Sequence, residues 1–225
     1  QYIRVPALNI QFGLYSLPAT LSYEAATFTE PLACTIRAQR KAGLTLGQTV
    51  LVLGCGVSGL LHLQLAKLAG AAGLFATDII DFKLNAAAKA GAYVYNAKEN
   101  FLPKIQKQLG GEKVDLVILC TTATTAVEQA LEAVAPGGTV LFFAPTKPDY
   151  TFTKPLNDIF WRQEVKLIST YAANPAEHLT ALELLKNNQI KVEPLVTHLL
   201  ALDEIQQGFK LAAEAKKALK VIINP

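Results

Sequence analysis

From Thr49 to Ala144, short apolar runs alternate with stretches whose apolar residues recur every three or four positions. "TVLVLG" (49–54) is continuous and apolar, as expected of a strand covered on both faces. Residues 57–69 then place Leu61, Leu65 and Leu68 at helical spacing. "AGLFATD" predicts a second strand and "DFKLNAAAKAG" a helix ended by Gly91. "AYVYNA" predicts a third strand, "NFLPKIQKQLG" a short helix and "VDLVILCT" a fourth strand. "TAVEQALEAVAPGG" reads as a helix closed by Pro136 and glycine, and "GTVLFFAP" as a fifth strand. After a loop over 146–163, "EVKLIST" predicts a sixth strand, followed by a helix from Pro175 to Lys186. This rhythm predicts parallel βαβ units with right-handed crossovers, hence an α/β fold with a doubly wound six-stranded parallel sheet.

The two ends do not keep the rhythm. Residues 1–19 read as a strand and a proline-containing loop, and "LSYEAATFTEPLACTIRAQRKAG" contains an amphipathic helix stopped at Gly43. The tail reads as "VEPLVTHLLAL", a helix over 203–215 and a closing strand "ALKVIINP". These flanks look like pieces of a second domain into which the sheet is inserted.

At that junction of strand and helix, Gly54, Gly56 and Gly59 spell G-x-G-x-x-G. The first glycine permits a tight turn, the second lets a pyrophosphate approach the backbone, and the third lets helix pack closely on strand. The helix N-terminus adds free N–H groups and the positive end of its dipole. An acid at the end of the second strand, Asp78, is placed to accept hydrogen bonds from a ribose diol and to repel a 2′-phosphate, which favours NAD over NADP. Methyltransferases that use S-adenosylmethionine also carry a glycine loop and a following acid. They hold no pyrophosphate, and the third glycine at this spacing tips the reading to a dinucleotide.

Composition narrows the picture without redirecting it. The chain has 225 residues, 51% hydrophobic and 17% charged, which suits a globular protein with a buried sheet and excludes disorder. A formal net charge of +3 with interleaved signs gives no basic run for nucleic acid and no patch for a membrane surface. Three cysteines (Cys34, Cys55, Cys120), far apart and with no CxxC pair, argue against a disulfide framework and a self-contained zinc knuckle, and make a reducing cytoplasm the simplest home. No membrane-spanning run or signal peptide is expected. The chain holds no methionine, so it is expected to begin partway through a longer protein.

"EPLAC", the approach "G-x-x-x-G-x-x-V-L-V-x-G" and the ending "LDEIQQGFKLAAEAKKALKVIINP" resemble the medium-chain dehydrogenase/reductase family, in its zinc-dependent polyol, threonine and butanediol dehydrogenase branch. The resemblance implies an oxidoreductase that takes hydride from a secondary alcohol, with zinc acidifying that alcohol and a nicotinamide accepting the hydride. It implies that residues 1–32 are a remnant of a chaperonin-10-like catalytic domain plus linker, 33–186 the dinucleotide-binding Rossmann domain, and 187–225 a segment returning towards the catalytic domain. The zinc would be held mainly by that missing domain.

Residue by residue, the resemblance puts Gly54, Gly56, Val57, Ser58 and Gly59 at the pyrophosphate, Asp78 at the ribose and Lys83 beside the adenosine. Cys120 and Thr121 would face the ribose from the fourth strand, and Phe143 and Ala144 would lie under the nicotinamide. Glu30 matches a glutamate near the catalytic metal; an acid favoured by a helix dipole is the other reading. The resemblance further implies a small-molecule alcohol as substrate and a homo-oligomer paired through the sixth strand, a sheet edge. A zinc-free quinone reductase and a non-catalytic NAD-binding module stay open as alternatives. His62 reads as a packed or half-exposed helix residue rather than a ligand, and His178 and His198 lack an acid–base constellation. Cys55 is a small residue in the glycine loop, Arg162 and Glu164 a surface pair, and Tyr171 an aromatic packed at a strand end, with a place bordering the nicotinamide as its other reading.

Overall fold

A computed structural model describes residues 2–152 and 154–225. Three helices precede the first strand: α1 (Ala7–Gly13), α2 (Tyr23–Ala26) and α3 (Thr29–Ala42). The chain then alternates through β1 (Thr49–Leu53), α4 (Val57–Leu68), β2 (Gly73–Asp78), α5 (Asp81–Lys89), β3 (Tyr93–Asn96) and α6 (Leu102–Gln108). It continues through β4 (Val114–Leu119), α7 (Thr124–Ala133), β5 (Val134–Phe142), α8 (Leu156–Phe160), β6 (Lys166–Ser169) and α9 (Pro175–Lys186). The tail forms β7 (Val196–Ala201), α10 (Ile205–Glu214) and β8 (Lys220–Asn224).

The first six strands make one sheet in the order β3-β2-β1-β4-β5-β6, every pair parallel. This is the doubly wound Rossmann arrangement the periodicity predicts. Val50, Leu51, Val52 and Leu53 of β1 are fully buried, as a central strand covered on both faces requires. Val50 and Val52 join a core with α3, α4, α5 and α9, while Leu51 and Leu53 join one with α6, α7 and α8. β7 and β8 pair in parallel with each other, outside the main sheet.

Three expectations are corrected. The opening stretch forms no strand among its described residues: Pro6 caps a short helix, α1, that buries none of its side chains (Gln1 lies outside the described residues). The amphipathic helix expected within 21–43 is α3, and the short α2 precedes it. Pro31 has no N–H to give, and its ring would collide with the carbonyl four residues back, so α3 starts with Pro31 in its first turn and stops at Gly43. α7 ends at Ala133 rather than at Pro136, because a proline pushes the preceding Ala135 out of the helical region, and 134–138 instead enter β5 with a register shift. Arg162 and Glu164 form no ion pair; both take left-handed conformations (φ 61° and 51°) in the turn before β6. Within the loop expected over 146–163, the short α8 buries Ile159.

Candidate functional site

The crevice lies at the carboxyl ends of β1, β2, β4 and β5, on either side of the point where strand order reverses between β1 and β4. Gly54 leaves β1 with φ +100°, a conformation that L side chains rarely adopt, and a Cβ there would stand 2.8 Å from the Cys120 carbonyl oxygen. Its N–H donates to the Thr77 carbonyl at 2.8 Å, so the turn is tied to β2 while it brushes β4. A Cβ on Gly59 would overlap the Gly54 carbonyl oxygen, which fixes why α4 can pack so tightly on β1. Gly56 is the opposite case: a Cβ built on it meets nothing within 4 Å, and the space it would fill is the mouth of the crevice. Gly56 is also the N-cap of α4, with no side chain capping the helix. An uncapped helix start beside bare backbone is what a diphosphate needs.

Asp78 ends β2 beside this loop. Its Oδ2 accepts from the Cys55 N–H at 2.8 Å, and its Oδ1 accepts from the N–H groups of Ile79 (2.8 Å) and Ile80 (3.0 Å). Three backbone donors thus lock the carboxylate to the glycine loop and leave part of its acceptor capacity, about four lone-pair positions, for a ligand. Lys83, in the first turns of α5, reaches the same corner: its charge and that of Asp78 both act on the Cys55 thiol. Burial first and then Asp78 push that thiol up to about 12, so Cys55 is a neutral packing residue and no nucleophile.

On the other side of the loop, the Cys120 N–H donates to the Leu53 carbonyl at 2.8 Å, and Thr121 Cβ lies 3.2 Å from the position of a Gly54 Cβ. Phe143 and Ala144 follow β5, their N–H groups donating to one acceptor, the Leu119 carbonyl, at 3.1 and 2.9 Å. The fold therefore brings the predicted dinucleotide residues to one face of the sheet's carboxyl edge. Glu30 stands apart from them in the first turn of α3, where its Oε1 accepts from Cys34 Sγ at 3.1 Å. The Cys34 thiol is pushed up to about 12 by burial and then by Glu30. The Lys220 ammonium lies 5.0 Å from the centre of the Phe28 ring, donates to the Thr27 carbonyl at 3.2 Å and acts electrostatically with Glu30.

Residues 58–187, more than half of the chain, match the family model described as zinc-binding dehydrogenase. The chain belongs to the zinc-binding dehydrogenase family. It is 30% identical over 214 residues to sorbitol dehydrogenase of Ovis aries, covering 93% of this chain and 59% of that protein. It is 30% identical over 238 residues to L-threonine 3-dehydrogenase of Bacillus licheniformis, covering 100% and 64%. Among solved structures it is similar to the alcohol dehydrogenase TADH from Thermus sp. ATN1, with TM-score 0.85, 28% identity and coverage of 96% of this chain and 62% of that one. It is also similar to a zinc-binding dehydrogenase from Sinorhizobium meliloti 1021 bound to NADP, with TM-score 0.81, 27% identity and coverage of 94% and 62%. The chain thus spans about three fifths of the length of these relatives.

The family name raises the question of zinc, and the side chains answer it for this chain. Among the described residues no group of three or more histidine, cysteine, aspartate or glutamate side chains could hold a metal ion. Glu30 brings one carboxylate, and the thiol next to it keeps its proton on that carboxylate. A tetrahedral zinc needs three or four such ligands, so the residues present do not fit a zinc site by themselves.

Of the other residues considered from sequence, His178 stacks on Tyr15 with ring centroids 5.9 Å apart, and its Nδ1 lies 2.9 Å from the Asn174 carbonyl. His198 Nδ1 pairs with Thr197 Oγ1 at 3.0 Å in β7. Tyr171 is not packed but almost fully exposed, displayed by a left-handed Ala172 (φ 55°) beyond β6. His62 is fully buried, the packed of the two readings, but sequence reasoning missed its neighbours: Gln39 of α3, and Phe143 with its ring centroid 4.6 Å away. A histidine in the otherwise leucine-rich "GLLHLQL" was the available signal.

Proposed function

We propose that this chain is the nicotinamide-binding part of a zinc-dependent alcohol or polyol dehydrogenase, binding NAD(H) in preference to NADP(H). The observation that carries the reading is the open N-cap at Gly56 facing a carboxylate, Asp78, pinned by three backbone N–H groups. A diphosphate would lie on the first turn of α4, and the ribose hydroxyls would reach the free positions of Asp78. A 2′-phosphate would meet a fixed negative charge.

A nicotinamide bound there supplies the hydride acceptor. This chain's own work is to orient it: Phe143 and Ala144 form its floor, and the glycine loop with Cys120 and Thr121 holds the sugar-phosphate arm. The secondary alcohol, of the sorbitol, threonine or butanediol type, is a proposal that draws on what the relatives are named for. So is self-association through β6, whose outer edge pairs with no strand among the described residues.

Titrating the chain with NADH and NADPH, followed by nucleotide fluorescence, tests the reading. Saturable NADH binding with NADPH at least about tenfold weaker supports it; equal affinity removes the role given to Asp78, and no binding of either removes the site. Assays of sorbitol and butanediol oxidation by the chain alone are expected to show no turnover.

A further inference from the structure

The inner side of α4 is built of leucines: Leu60, Leu61 and Leu63 are all buried. His62 sits among them with no exposed surface. A leucine at that place would need no polar partner, whereas an imidazole must be stripped of water and satisfied. Only half of that need is met. Gln39, itself buried on α3, spends its amide nitrogen on two acceptors, the His62 carbonyl oxygen at 2.8 Å and His62 Nδ1 at 3.1 Å. One amide hydrogen goes to each, so Nδ1 is an acceptor and the ring proton sits on Nε2. His62 Nε2 and Gln39 Oε1 are both buried without a hydrogen-bond partner among the described residues.

Among the described residues, the other group the imidazole engages is Phe143. The two rings meet edge to face, with centroids 4.6 Å apart and planes at 87°. The backbone around Phe143 is already pinned to Leu119 through two N–H groups. What remains free is the direction of the phenyl ring, and His62 abuts it. Phe143 itself is only partly buried and stands at the carboxyl end of β5, on the crevice.

We propose that His62 is a positioning residue for the nicotinamide: through its edge-to-face contact it sets the orientation of Phe143, the floor on which the nicotinamide ring lies, and it does not touch the cofactor itself. The inference rests on the dinucleotide reading of the crevice and adds a specific role to a residue outside it. Burial holds the imidazole neutral, with its pKa lowered to about 3, so no cation stands beneath a nicotinamide that is positively charged when oxidised.

The experiment compares two ligands that differ only at the end in question. ADP-ribose carries the adenosine, diphosphate and ribose but no nicotinamide, so its affinity reports the glycine loop and Asp78 alone. Calorimetry of the chain and of His62→Leu against NADH and ADP-ribose is expected to show NADH weakened about fivefold and ADP-ribose changed less than twofold. Phe143→Leu, which leaves the Gln39–His62 pair intact, gives the same split and serves if the His62 variant fails a thermal-unfolding check. In the unaltered chain, ring nitrogen resonances of His62 are expected to move on adding NADH and to stay still with ADP-ribose. Equal weakening of both ligands, or of neither, in the folded variants overturns the positioning role. Failure of the unaltered chain to bind ADP-ribose overturns the dinucleotide reading itself, and this inference with it.

Discussion

The interior of the six-stranded sheet and the two ends of the chain are made of similar apolar residues put to opposite use. Val50 to Leu53 have no exposed surface, whereas Tyr2, Ile3, Leu8 and Leu14 expose 68% or more of theirs. In the sheet, each strand face meets a helix of the same chain, and both core clusters close on themselves. At the ends, α1 buries nothing, and α10 and the β7–β8 pair leave Leu199, Leu202, Ile205 and Phe209 exposed. The sheet therefore supplies its own stability and its own crevice. The ends leave large apolar side chains on the surface, in a chain that spans about three fifths of the length of its relatives.

The contrast can be broken most forcefully at Gly59. Gly59→Ala puts a methyl group into the Gly54 carbonyl and is expected to cost about 3 kcal/mol and abolish NADH binding, measured by urea unfolding and calorimetry. Next comes truncation of the core: Leu51→Ala, in a fully buried strand, is expected to lose about 3 kcal/mol, while Leu8→Ala on exposed α1 changes stability by less than about 0.5 kcal/mol. Equal losses at the two positions would show that the ends are as integrated as the sheet.

The next effect is set by pH and is smaller over any single pH unit. His62 is held neutral in the folded chain, its pKa lowered by burial from 6.5 to about 3, whereas the unfolded chain takes up a proton there below 6.5. Unfolding free energy is thus unaffected by this group above pH 6.5 and falls as pH drops from 6.5 towards 3, by up to about 1.4 kcal/mol per pH unit. His62→Leu should flatten that part of the profile relative to the unaltered chain, and an unchanged slope would contradict the burial assigned to the imidazole. The smallest effect is expected at Lys104–Glu99, an exposed pair at 2.8 Å, where Lys104→Ala shifts stability by about 0.5 kcal/mol or less.

The sheet was legible because its physics is local and repetitive. A run such as "TVLVLG" declares a strand buried on both faces, and three glycines at the next turn declare a close approach. The end of α3 was also written in the chain, in Gly43, which takes the left-handed conformation there (φ 69°). α1 was misread because an apolar stretch at a chain end says nothing about whether a sheet has an open edge to receive it. The contacts of His62 were not legible. Gln39 is 23 residues before it and Phe143 lies four strands away in the chain, so only the folded packing of α3, α4 and β5 brings them together. The three N–H donors around Asp78 belong to the same class, since one of them crosses from the loop after β1.

The claim on which the rest depends is that a diphosphate lies on the bare backbone at the start of α4. Amide chemical shifts of the isotopically labelled chain, followed while ADP-ribose is added, test it most directly. The account predicts saturable shifts that are largest at Gly56, Val57, Ser58 and Gly59, with Ile79 and Ile80 moving as Asp78 takes up the ribose. Saturation that leaves those amides unmoved, with the shifts gathered elsewhere on the molecule, would contradict it.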